Sequence, residues 1–89
     1  MSKQQYIEAQ RLKPIGQEGI DKLREIVSGQ VESMRAMKIN EVFVDSYSAS
    51  AIIGVYDRLS ESAKEQMRSL PVVRACDVSF KVLNRGAAA

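Results

Sequence analysis

The stretch 43–59 (FVDSYSASAIIGVYDRL) constrains the fold more than any other part of this sequence. It begins as a short β-branched run, crosses side-chain oxygens that can cap a helix, and continues as an apolar stripe at helical spacing. The stripe predicts a central helix over residues 46–59 that faces a core. The capping oxygens belong to Asp45, Ser46 and Ser48. The stripe consists of Ala49, Ile52, Ile53, Tyr56 and Leu59, with Val55 at its margin.

The chain has no histidine and one cysteine, Cys76. Without histidine there is no His-based acid/base or triad mechanism, and a lone thiol does not make a zinc site. A single cysteine also cannot form an internal disulfide, so packing alone holds the domain, which fits a reducing cytosol. We therefore expect no catalytic residue, no metal, no cofactor and a cytoplasmic location.

Length and hydropathy indicate one small domain. The chain has 89 residues, of which we assign 1–86 to a single domain, with a short N-terminal arm at 1–15, and 87–89 to a tail or appended remnant. No apolar run is long enough for a membrane span, and the polar N-terminal region does not match a secretory signal. Because a domain of this size has a limited core, self-association is a further way to bury apolar surface.

Two helices are predicted before the central one. Ser2 can cap a short first helix that ends before Pro14 and Gly16. A long amphipathic helix is then predicted over 17–37, with a possible close helix crossing at Gly29. Its apolar seam consists of Ile20, Leu23, Val27, Met34 and Met37.

Two shorter helices are predicted after the central one, at 61–70 and 72–83. Ser62 and Glu65 have the spacing of a capping box for the first, with Ser60 as the alternative cap. The second begins after Pro71, but 77–82 also alternates like a strand. We therefore expect an all-α bundle of four to five helices with a short extended segment at 42–44. The alternative is an α+β fold in which 42–44 pairs with 78–82.

Two surfaces are candidates for binding a protein partner. One is the outer side of the long helix with Met34 and Met37, because thioethers adapt to irregular partners. The alternative for these two residues is a place in the core, which is the more common role of methionine at seam spacing. The other surface is the start of the central helix, with Tyr47 and Ser48. Gly54 is unfavourable inside a helix, so we expect either another backbone of the domain to pack closely against it or a partner to contact it, with the internal crossing as the default. The serines of this region are better explained as helix caps than as an anion site or nucleophiles.

The charge pattern argues against a basic stripe for nucleic acid. Thirteen Lys and Arg oppose eleven Asp and Glu, with seven basic and six acidic residues in 1–44 and six and five in the remainder. Nucleic-acid binders usually concentrate their basic residues, because phosphate neutralisation supplies much of the affinity. The alternative function, a small nucleic-acid-binding protein, would use a basic surface late in the chain. Its residues are Arg68, Arg74, Lys81 and Arg85.

Several short runs carry a resemblance to a known class of proteins. They are VD at 44–45, SASAI at 48–52, VYDRL at 55–59, AK at 63–64, LP at 70–71 and VSFKVL at 78–83. In these runs, across residues 42–83, the chain resembles small uncharacterised accessory proteins of tailed bacteriophages. The resemblance implies no activity and no functional residues. It implies a phage product acting in the bacterial cytoplasm, where small proteins of this kind often bind and inhibit or redirect a host protein.

These observations predict a non-enzymatic protein-binding module. The expected partner is a host bacterial protein, which the phage protein would modulate or inhibit. Binding to nucleic acid is the alternative, and no membrane partner is expected.

Overall fold

The computed structural model describes residues 2–29 and 36–88, and within them the chain forms five α-helices and one β-hairpin. The predicted helical class with a short extended segment is therefore confirmed. The helices are α1 (Lys3–Arg11), α2 (Gly16–Ser28), α3 (Ser46–Tyr56), α4 (Glu61–Arg68) and α5 (Val72–Ala88). The strands are β1 (Ala36–Ile39) and β2 (Val42–Asp45).

Helix α3 is the central element, as the sequence predicts. Its N-cap is Asp45, whose carboxylate Oδ1 accepts a hydrogen bond from the backbone N–H of Ser48 at 2.7 Å. The helix packs mainly against α2 and α5, so it is covered on two sides, and its residues from Ala51 to Tyr56 are apolar apart from the exposed Gly54. Its buried residues are Ala49, Ala51, Ile52, Ile53, Val55 and Tyr56.

Helix α2 ends at Ser28 and residues 36–37 lie in β1, so the expected continuous helix over 17–37 is wrong at those positions. Residues 30–35 of that prediction lie outside the described residues. Gly29 ends α2 in the left-handed conformation, with φ at 64°, which is the common glycine C-cap rather than a helix crossing. Ile20 and Leu23 of the predicted seam face the core, but Val27 is 43% exposed, and the neighbouring Ile26 is buried instead. Met34 lies outside the described residues, and Met37 lies in β1.

The extended segment at 42–44 pairs with β1, so the alternative pairing with 78–82 is wrong. The hairpin is antiparallel, with Ile39 opposite Val42 and Lys38 opposite Phe43. Asn40 and Glu41 form a two-residue turn in which both φ angles are positive, at 51° and 62°, as a type I′ turn requires. Period-two alternation turns Ile39 and Val44 into the core and leaves Phe43 exposed.

The ends of the helices follow local capping rules. Ser2 caps α1 through a capping box with Gln5. Ser60, rather than Ser62, caps α4, and its hydroxyl accepts the N–H of Ala63 at 3.2 Å. The capping box predicted at Ser62 and Glu65 is therefore wrong, and the alternative cap is correct. Helix α5 begins after Pro71 and continues to Ala88, into the stretch predicted to be a tail.

The chain between α1 and α2 ties the N-terminal arm to the domain. The Ile15 N–H donates to the Leu70 carbonyl at 2.8 Å, and Asn40 Nδ2 donates to the Pro14 carbonyl at 3.2 Å. Helix α1 itself has no buried residue among those described, and Leu12 is largely exposed. The arm is therefore held at its C-terminal end, against the hairpin turn and the α4–α5 connection.

No helix within the described residues combines the length and the apolar character needed to cross a membrane.

Candidate partner-binding groove

An apolar groove lies between strand β2 and helix α5, and we call it the β2–α5 groove. Its cavity volume is about 350 Å³. Most of its lining is aliphatic or aromatic, so it is suited to hold apolar side chains of a ligand. The residues that line it are Val42, Phe43, Val44, Ser48, Val72, Val73, Cys76, Asp77 and Phe80.

Aromatic residues at the groove are exposed to an unusual degree. Phe43 and Tyr47 have exposed fractions of 73% and 74%. The Tyr47 ring stacks on Phe80, with 5.5 Å between centroids and 27° between ring planes, an offset arrangement that aromatic pairs favour. The Lys38 ammonium lies 5.8 Å from the Phe43 ring centroid, and the ring remains largely exposed beside this flexible side chain.

Two of the residues predicted to bind a partner are at this groove. Ser48 lines it, and Tyr47 contacts it through the stack on Phe80. Both positions follow from the cap at Asp45, which starts α3 directly after β2 and so places the first turn beside the strand. The Ser48 N–H hydrogen bond is the main reason that the pKa of Asp45 lies below its usual range.

The carboxylate of the groove has a structural partner. Asp77 forms an ion pair with Lys81 one turn later on α5, at 3.1 Å. Cys76 is half-buried and its thiol is free. A thiol or carboxylate needs a positioned base or acid to do chemistry, and no side-chain hydrogen bond among the described residues joins Cys76 to Asp77 or Ser48, the other polar residues of the lining.

The other residues predicted to bind a partner lie elsewhere. Met37 lies in β1 rather than on the long helix, because that helix ends at Ser28. It is half-buried and packs against the core. Gly54 is exposed on α3, and a Cβ atom built there meets nothing within 4 Å. The internal crossing predicted at Gly54 is therefore wrong.

The four late basic residues do not share one environment. Arg68 is partly buried on α4, and its Nη1 donates to the Tyr56 hydroxyl at 2.6 Å. Lys81 is held by Asp77. Arg74 and Arg85 are exposed on α5, at positions that share a helix face with Lys81.

A cluster around Tyr56 joins α2, α3 and α4. Arg24 forms a bidentate pair with Asp57, at 3.1 and 2.6 Å, and this guanidinium is the main reason that the pKa of Asp57 is lowered. Arg24 and Lys64 also lie 5.8 and 5.5 Å from the Tyr56 ring centroid. With Arg68 on the hydroxyl, these contacts surround a buried ring, and we interpret the cluster as structural.

Sequence reasoning missed the strand and helix residues that form most of the groove, notably Phe43, Val73 and Cys76. The period-two alternation of Met37 and Ile39 with Val42 and Val44 about a two-residue turn was the available signal for the hairpin. No local pattern predicts the groove itself, because β2 and α5 are about thirty residues apart in the chain.

No protein-family model, curated protein or solved structure matches the chain. Within the described residues no group of His, Cys, Asp or Glu side chains is placed to hold a metal ion.

Proposed function

We propose that this protein is a non-enzymatic protein-binding module and that the β2–α5 groove receives apolar side chains of its partner. The observation that carries the proposal is an apolar groove bordered by rings that are 73% and 74% exposed. Contiguous exposed apolar surface is uncommon on small monomeric proteins and marks interaction sites. Aromatic side chains beside a pocket are also typical of the residues that dominate binding energy.

The polar groups at the groove support binding rather than a reaction. Asp77 is paired with Lys81, and the Ser48 N–H is used by the helix cap. Cys76 is flanked by apolar groove residues such as Val72 and Val73. We therefore propose no chemical step, and the specificity of the module comes from shape and apolar contact.

We further propose that the partner is a host bacterial protein, which this protein modulates or inhibits in the bacterial cytoplasm. The support is the resemblance of residues 42–83 to accessory proteins of tailed bacteriophages. That range starts at β2 and includes α3, α4 and most of α5. It therefore contains every residue that lines the groove.

A matched pair of variants tests whether binding uses the groove. Val73→Lys places a charge in the groove, whereas Val27→Lys makes the same change on α2, and the two valines are 56% and 43% exposed. Both changes are on the surface, so each should alter the free energy of unfolding by only about 0.5 kcal/mol. The tagged wild-type protein and both variants are used to capture partners from bacterial lysate, at low and high salt and after nuclease treatment.

We expect one protein to be captured in stoichiometric amount and to stay bound at high salt and after nuclease treatment. The Val27→Lys variant should capture it as the wild type does, and the Val73→Lys variant should not. Equal capture by both variants would place the binding surface elsewhere. Recovery of nucleic acid alone, lost at high salt, would support the alternative function at Arg74, Lys81 and Arg85, because phosphate contacts weaken steeply with salt.

A further inference from the structure

The outer edge of strand β2 offers backbone hydrogen-bonding groups to a ligand. In a two-residue hairpin the residues that flank the turn, here Ile39 and Val42, form a hydrogen-bonded pair. The next pair, Lys38 and Phe43, is then a non-hydrogen-bonded pair, whose N–H and C=O groups point away from the partner strand. Phe43 therefore directs its N–H and C=O to the edge of β2 that is opposite β1.

That edge is unpaired within the described residues. The sheet there has two strands, so β2 has β1 as its one neighbour. Apart from the hairpin ladder, no backbone hydrogen bond among the described residues engages Phe43. An edge of this kind is a template for pairing with another extended chain.

The β2–α5 groove lies beside β2 and matches what an added strand needs. Alternate side chains of such a strand would point to the side on which Val42 and Val44 lie, where α5 closes the groove with Val72 and Cys76. The remaining side chains would lie beside the exposed ring of Phe43. Backbone pairing and side-chain pockets then act together, as in other proteins that bind peptides by strand addition.

The length and the charges of the edge favour another protein over a second copy of this chain. If two copies paired their β2 strands antiparallel about Phe43, each Asp45 would meet the turn residue Glu41 of the other copy, so the shared ladder would be limited to residues 42–44. Two carboxylates would also approach each other there, and like charges that face each other destabilise a strand pair. Glu41 and the groove residue Asp77 are each paired with a lysine of this chain, at 3.3 and 3.1 Å. Asp45 is exposed at the end of the edge, so a segment carrying Lys or Arg opposite it complements the charge.

We propose that the groove binds an extended segment of another protein, which pairs with the outer edge of β2 as a third strand. Every second residue of the segment is apolar and enters the groove, and a basic residue of the segment lies near Asp45. This inference rests on the proposed protein-binding function and specifies its ligand.

The test uses nine-residue peptides selected from a random display library against the full-length protein. Affinities of synthetic peptides are measured by fluorescence anisotropy, for unmodified peptides and for versions methylated at single backbone nitrogens. The protein variants are Phe43→Pro, which removes the outward N–H, and Phe43→Ala, which removes the ring and keeps the N–H. Proline is tolerated on an edge strand where the N–H is not part of the ladder, and circular dichroism checks that each variant folds.

Strand addition predicts that methylation weakens binding at alternate nitrogens only, by about fivefold or more at each. Phe43→Pro should weaken binding by about the same factor relative to Phe43→Ala. In the amide NMR spectrum, the Phe43 N–H of the wild-type protein should shift and become protected from exchange when the peptide is added, which tests the edge without any substitution. Selected peptides should be enriched in Lys or Arg and poor in Asp and Glu.

Three outcomes would overturn the inference. The first is a peptide whose affinity falls with Val73→Lys but does not change on backbone methylation. Such a peptide would bind the groove in another mode, and the proposed function would remain. The second is concentration-dependent dimerisation that Phe43→Pro abolishes, which would show that another copy of this chain occupies the edge. The third is that no peptide is selected and that the Val73→Lys variant captures the same proteins from lysate as the wild type. That result would contradict both the inference and the proposed function.

Discussion

Glu41 occupies a turn position that suits glycine. Its φ is 62°, in the left-handed region, where a side chain with a Cβ is disfavoured by about 1–2 kcal/mol. Its side chain makes an exposed ion pair with Lys38 at 3.3 Å, which contributes less than about 0.5 kcal/mol. Its carbonyl accepts a hydrogen bond from Arg11 Nε, and this contact does not depend on the side chain.

We therefore expect Glu41→Gly to raise the free energy of unfolding by about 0.5–1 kcal/mol. The substitution relieves the backbone strain, and this gain exceeds two losses: the ion pair with Lys38 and the added conformational freedom of glycine in the unfolded chain. Urea denaturation measures the change. Glu41→Ala is the control, because it removes the same ion pair and keeps the strain, so it should give no gain. Equal stability of the two variants would contradict the strain argument.

Asp45 and Asp57 make the stability depend on pH. The pKa of Asp45 is lowered mainly by the hydrogen bond from the Ser48 backbone N–H, and that of Asp57 mainly by the hydrogen bond from Arg24. Each folded-state pKa lies below the unfolded value of about 3.9. The stabilisation from each is complete above the unfolded pKa and is lost as the pH falls through the folded pKa.

The melting temperature should therefore fall as the pH is lowered from about 5 to about 2. A double variant, Asp45→Asn with Asp57→Asn, keeps the side-chain shapes without the charges and should show a shallower fall. Thermal melts monitored by circular dichroism at several pH values measure this slope. An unchanged slope in the double variant would show that other carboxylates control acid unfolding.

At the scale of the elements, replacing each of two glycines by alanine should change the stability of the protein in opposite directions. Gly54 lies inside α3 with space around its Cα, so Gly54→Ala should stabilise the protein by up to about 1 kcal/mol. Gly29 is the left-handed C-cap of α2, with φ at 64°, so Gly29→Ala should destabilise it by about 1 kcal/mol. Denaturant midpoints of the two variants measure both signs. Destabilisation by Gly54→Ala would restore the close crossing that the sequence suggested.

The helices that could be predicted are those whose signals are local. Ser2, Pro71 and the oxygens around Asp45 mark helix starts in the sequence, and apolar spacing identifies the central helix. The second helix was predicted too long because apolar residues continue at helical spacing as far as Met37. A glycine inside a helix costs only about 1 kcal/mol, so Gly29 was not enough to predict the end of the helix. The hairpin was missed because Asn40-Glu41 lacks the glycine of the usual two-residue turn.

The candidate site could be predicted only where it coincides with such a local signal. Tyr47 and Ser48 were singled out because they follow the cap of the central helix, and the structure places them at the groove. Phe43 and Val73 were not, since their exposure depends on how β2 and α5 pack in three dimensions. Arg68 was assigned to a surface from its charge alone, whereas its guanidinium is directed to the Tyr56 hydroxyl.

At the scale of the whole molecule, the groove is where the hairpin and the last helix meet on the surface. The core beneath it is continuous, with Ile39 from β1, Ile52 from α3 and Val72 from α5 all fully buried. The groove therefore lies on a packed support rather than on a loop, which favours a preformed binding surface. Because Cys76 is the one cysteine of the chain and lines the groove, its thiol reports on whether the groove is occupied.

Alkylation of Cys76 by a small reagent tests most directly whether a partner occupies the β2–α5 groove. Its rate is measured in the free protein and in the purified complex with the captured partner. A control protein with Cys76→Ala and Val27→Cys carries its thiol on α2, away from the groove. If the partner occupies the groove, complex formation should slow alkylation of Cys76 by about tenfold or more, because the side chain becomes buried, and should leave the control unchanged. Equal alkylation rates at Cys76 in the free and bound protein would contradict the claim that the partner occupies the β2–α5 groove.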